Sequence, residues 1–165
     1  MAPHAIPIGL SDRLSHIDEA LATPFPTRSV GNGPHVSGPG FHLSTLALSR
    51  DFWEDRSPEI VDAALASVEA ERDQVVAALA RRWGPAQRLD TATFRDVVDE
   101  GEPIPDHFHE LSYAVDDPPF WRHRPIDRWL GLAIVQHDSE LPFLLYAVVG
   151  AESDLDAVSA VSPRG

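Results

Sequence analysis

Two apolar runs, Arg128 to His137 and Leu141 to Gly150, constrain the fold of this chain more than any other feature. In the first, Trp129, Ala133 and Val135 fall on one side of an extended backbone and Leu130, Leu132 and Ile134 on the other. The second run is apolar on both sides too. Strands of this kind belong inside a sheet whose two faces are both covered. Joined by Asp138-Ser139-Glu140, the runs are expected to pair as an antiparallel hairpin at the sheet centre.

Cover for one face comes from Ser57 to Gly84. Ser57 precedes Pro58, which suits the first helical position, and Gly84-Pro85 closes the segment. Val61, Leu65, Val68, Val75, Leu79 and Trp83 recur at helical spacing, which predicts a long helix with one buried face. Glu59 and Asp62 near its start and Arg81 and Arg82 in its last turn complement the helix dipole. Shorter helices are predicted over Ser11 to Ala22, capped by Ser11-Asp12 with Leu14, Ile17 and Leu21 inward, and over Thr91 to Asp99 with Phe94, Val97 and Val98 inward.

Phe41 to Ser49, Ala86 to Leu89 and Glu110 to Val115 read as short strands, and Asp116-Asp117-Pro118-Pro119 as a turn. Residues 24–40 hold eight glycines and prolines in 17 positions and read as a loop. The fold class is therefore α+β: one long and one or two shorter helices on a mostly antiparallel sheet centred on the carboxy-terminal hairpin. Its 165 residues suit one core. Residues 1–40 form a helix and loop of that same domain, 41–153 the body, and 154–165 a frayed tail.

Composition removes whole classes of chemistry. All 13 basic residues are arginine and there is no lysine or cysteine, a bias of the kind a GC-rich actinobacterial genome imposes. Schiff-base chemistry, a P-loop lysine, thiol nucleophiles, disulfides and cysteine-rich zinc sites are thereby excluded. No Gly-x-Ser-x-Gly elbow occurs, and Gly31-Asn32-Gly33 is followed by Pro34, not by the rest of a dinucleotide fingerprint. The opening MAPHAIPIGL lacks the basic start of an export signal, and the run from Leu141 to Ala151 is too short to span a bilayer, so a cytoplasmic protein is expected.

The net charge is −13, and all of it lies in residues 51–165, since residues 1–50 carry three acids and three arginines. Such a field opposes nucleic acid and anionic membranes and favours a basic protein partner. Asp96, Asp99, Glu100, Glu102 and Asp106 form the densest patch and are the candidate partner-binding residues.

Two other clusters carry chemistry. In Asp106-His107-Phe108-His109-Glu110, an extended backbone would project His107 and His109 to one face, where His137 or His123 could complete a metal site. The spacing carries no specific metal motif, and surface or edge-strand histidines beside an acidic loop are the favoured reading, with no cofactor expected. Trp121-Arg122-His123-Arg124, with Asp127, Arg128 and Trp129, could hold an anion or base. The plainer expectation is that its arginines pair with Asp116, Asp117 and Asp127 while the tryptophans pack at the core boundary. In size, acidity and helix-then-sheet order the chain resembles small bacterial immunity proteins and secretion chaperones. That resemblance implies a non-enzymatic protein binding a basic toxin or secreted cargo; the alternative is a metal-dependent protein built on His107 and His109.

Overall fold

Both apolar faces of the hairpin are covered, each by its own layer of helices. The computed structural model describes residues 6–31 and 33–161. Its elements run α1 (Leu10–Ala22), β1 (His35–Gly38), β2 (Phe41–Leu48), α2 (Pro58–Trp83), β3 (Gln87–Arg88), α3 (Ala92–Asp99), α4 (Asp106–Leu111), β4 (Pro119–His123), β5 (Arg128–Val135), β6 (Leu144–Ala151) and α5 (Glu152–Val161). The six strands form one antiparallel sheet in the order β1-β2-β6-β5-β4-β3, with the hairpin at its centre. Among the described residues no helix is long and apolar enough to cross a membrane.

Side-chain alternation on β5 decides which layer lies where. Leu130, Leu132 and Ile134 join Leu145, Ala147 and Val149 of β6 under α1 and α2, packed against Ile17, Val68, Val75 and Leu79. Trp129, Ala133 and Val135 meet Phe94 of α3, Phe108 and Leu111 of α4 and Leu155 of α5 on the opposite face. The long helix starts at Pro58 and stops at Gly84, whose φ of 85° suits glycine. Gly84 also accepts the Trp121 indole N–H through its carbonyl, at 2.9 Å, so the helix stop is tied to β4.

Buried arginines hold the layers in register. Arg13 of α1 donates from Nε to the Leu46 carbonyl at 3.0 Å and pairs with Glu71 of α2. Arg72 of α2 grips Asp116 through two hydrogen bonds of 2.9 and 2.6 Å, fixing the loop before β4. These bonds tie segments far apart in sequence.

Several expectations need correction. Residues 24–40 contain β1, which pairs with β2 across the Pro39-Gly40 turn, where Gly40 has φ 82°. Glu110 to Val115 is not a strand; α4 occupies Asp106–Leu111, and Ala114 joins the sheet through an isolated bridge to Val135. Pro119 opens β4 instead of ending a turn. The first helix begins at Leu10 after Gly9, and Ser11-Asp12 makes no cap. The hairpin connection is longer than three residues because Pro142 interrupts pairing and the Phe143 N–H goes to Ser49 Oγ. The supposed tail forms α5, anchored by buried Leu155; residues 162–165 and the first five lie outside the described residues. The α+β class and the central hairpin hold, with four shorter helices beside α2 among the described residues.

The two sheet edges differ from the interior. β1 is flanked by Val30, which exchanges both backbone hydrogen bonds with Ser37 at 2.8 and 3.0 Å. At the other side β3 is two residues long and carries Arg88.

At the sheet centre, Trp129 lies over two glycines. A Cβ on Gly150 would come within 2.5 Å of the indole Nε1, and one on Gly131 within 2.9 Å of the ring. Because Trp129 is fully buried, it cannot swing aside. Gly150→Ala is expected to cost about 1–3 kcal/mol in denaturant unfolding. A change under about 0.3 kcal/mol would show that the indole has room to move.

Candidate functional site

The helix α4 packs on β2 and β5 and leaves a cleft between itself and the β1–β2 hairpin. The cleft has a volume of about 410 Å³. Val36, Phe41 and Leu43 from the hairpin give it apolar lining, together with Tyr146 of β6. Asp106, His109 and Glu110 line it from α4. A concave apolar site with a few polar groups on one side is the usual form of a binding pocket.

Glu110 is the most heavily engaged of these groups. Its Oε1 accepts the His137 Nε2–H at 2.9 Å and the Tyr146 hydroxyl at 3.2 Å. The histidine hydrogen bond holds the Glu110 carboxyl below the usual carboxylate range, and the same bond raises the His137 imidazole. Burial, followed by the charge of Glu110, pushes the Tyr146 phenol up. Tyr113 stands edge-on to His137 at 4.9 Å and 5.8 Å from the His109 ring. The second oxygen, Glu110 Oε2, takes no protein donor among the described residues.

The two histidines proposed to share a face are separated by the helix. Residues two apart on a helix point in different directions. His107 enters the core, 1% exposed, stacked on Phe41 at 5.0 Å and against Phe108 at 4.2 Å. Neither ring nitrogen has a hydrogen-bond partner among the described residues. Asp154 Oδ2 is 3.8 Å from Nε2, beyond hydrogen-bond reach. Burial pushes the imidazole down to about 4, and it raises Asp154 above the usual carboxylate range. The expectation of surface histidines is therefore wrong for His107. His109 lines the cleft, His137 is held by Glu110, and His123 packs on Trp83 at 4.7 Å. Among the described residues no three histidine, aspartate or glutamate side chains converge as metal ligands.

The arginine and tryptophan cluster is structural, with partners other than those expected. Trp121 and Trp129 are buried within the two cores, not at their boundary. Arg122 pairs with Glu152 and Asp156, and Arg124 with Glu152, so β4 is tied to α5. Arg128 stacks on Phe25 at 4.0 Å and donates to the Ala20 carbonyl. Asp116 serves Arg72, and Asp117 accepts from the Thr91 N–H and hydroxyl at the start of α3.

Asp96, Asp99, Glu100, Glu102 and Asp106 are all exposed. They run along α3 and the following loop to the start of α4, where Asp106 reaches the cleft. Sequence reasoning named Asp106 and His109, whereas Tyr146 and the hairpin residues of the cleft were hidden in strand patterns. Compared with family models, curated proteins and solved structures, the chain matches none.

Proposed function

We propose that the protein is a non-enzymatic binding protein for a basic protein partner, recognised along Asp96, Asp99, Glu100, Glu102 and Asp106. One observation carries this reading. Arginines pair with other acids throughout the molecule, at Glu71, Asp116, Asp18, Glu140, Glu152 and Asp156, while none of the five patch carboxylates forms an ion pair among the described residues. An exposed, uncompensated run of negative charge steers cationic surfaces and adds on-rate. The chemistry suits a basic toxin or secreted cargo, the partners that immunity proteins and secretion chaperones hold.

The test uses a 12-residue peptide of alternating arginine and leucine and a glutamate counterpart of equal length. The cationic peptide is expected to shift amide resonances of residues 96–106, with association slowing as the Debye length shortens from about 30 Å at 0.01 M salt to about 8 Å at 0.15 M. Changing Asp99, Glu100 and Glu102 to their amides should slow association and flatten its salt dependence without altering the unfolding midpoint. Shifts scattered over the whole surface, or rates indifferent to the triple substitution, would remove the patch from the mechanism.

A further inference from the structure

We infer that the cleft between α4 and the β1–β2 hairpin is an anchor site for one arginine side chain of the partner. This inference rests on the docking reading above and gives it a point of attachment. The lining is divided by chemistry: Val36, Phe41 and Leu43 offer an apolar wall, while Asp106 and Glu110 stand one helical turn apart on the same face of α4. A side chain with a long apolar stem and a cationic head fits that division, with stem on the hairpin and head at the carboxylates.

Two features favour guanidinium over ammonium. Glu110 presents Oε2 without a protein donor among the described residues, and Asp106 is exposed with no ion pair, so two separate acceptors await donors. A planar group with five N–H donors can serve both, whereas an ammonium is a compact and more strongly hydrated point charge. The aromatic rings of Phe41 and Tyr146 in the same lining suit a flat cation. Among the described residues no arginine lines the cleft, and His137, the internal partner of Glu110, engages Oε1 and leaves Oε2.

The experiment is a titration of the full chain with n-butylguanidinium, n-butylammonium and n-pentanol, followed by amide shifts and unfolding temperature. Butylguanidinium is expected to shift resonances of Val36, His109, Glu110 and Tyr146 and to bind at least about tenfold more tightly than either other probe, as expected for a paired, partly desolvated cation. Asp106→Asn should weaken it about fivefold with no change in unfolding temperature, and Glu110→Gln with Asp106→Asn should abolish the preference over pentanol. Equal binding of the three probes, or shifts away from the cleft, would overturn the anchor. Butylguanidinium seated in the cleft while the arginine peptide leaves it untouched would remove the partner reading but keep the cation site. Peptide binding at residues 96–102 with silent cleft resonances would do the reverse.

Discussion

Ile134→Asp is expected to abolish cooperative folding. Ile134 is fully buried in β5, opposite Leu145 and beneath the α1–α2 layer. A carboxylate there would have no partner and no water, and the cost exceeds about 4 kcal/mol, a large part of a typical domain's stability of about 5–15 kcal/mol. Ile126→Asp is the control, because Ile126 is 45% exposed and the same substitution there should stay within roughly 1 kcal/mol. Circular dichroism through a thermal ramp separates the two. A melting temperature for the Ile134 variant within a few degrees of the parent would mean that the centre of the sheet is not dry.

Acid should find the protein's weakest point at His107. The unfolded chain takes up a proton near the ordinary histidine value of 6.5, whereas burial holds the folded imidazole down to about 4. The unfolded state therefore binds more protons between those values, and the stability present above pH 6.5 declines as the pH falls to about 4. The interval corresponds to roughly 3 kcal/mol, or about 6–12 °C in unfolding temperature. His107→Phe keeps a ring between Phe41 and Phe108 and removes two unpaired nitrogens, so it should flatten this acid slope while holding stability at pH 7. The direct check is the imidazole resonance of His107 in the parent, titrating near 4. A midpoint at 6 or above would place the ring in contact with solvent.

The His137 and Glu110 pair works on a different window. Glu110, lowered in the fold, adds stability above its unfolded value, and His137, raised in the fold, adds stability that disappears as pH climbs through its folded value. Comparing the parent with the His107 variant isolates the larger contribution, since both chains retain this pair.

What was legible in the sequence was whatever local chemistry dictated. Pro58 and Gly84 bracketed α2 because a missing N–H and a positive φ are tolerated at those positions. The double alternation in β5 requires cover on both faces, and both layers are present. Other elements escaped because competing signals were louder. In Asp106 to Glu110 the histidine alternation imitates a strand, and a helix of six residues without a side-chain cap has too little periodicity to contradict it. β1 was masked by the glycines and prolines around it, although Pro39-Gly40 before Phe41 is itself a turn signal between two strands. His107 looked like a surface residue because nothing in a linear pattern reports that Phe41, 66 positions earlier, stacks on it. The cleft has the same character, being assembled from β1, β2, α4 and β6.

The short sheet edges bear on how another protein can be recognised. Val30 already takes the outward N–H and carbonyl of Ser37 on β1, and at the opposite border the two residues of β3 cover Pro119 and Phe120, leaving Trp121 to His123 of β4 as a short remaining edge. An incoming chain finds only short stretches of edge backbone on which to lay down a further strand. Selection among partners then falls chiefly to side chains, and a change of surface charge can redirect it without touching the backbone. The same shortness limits the template for edge-to-edge stacking, while the hydrophobic hairpin itself lies between β2 and β4, out of reach of another chain's backbone.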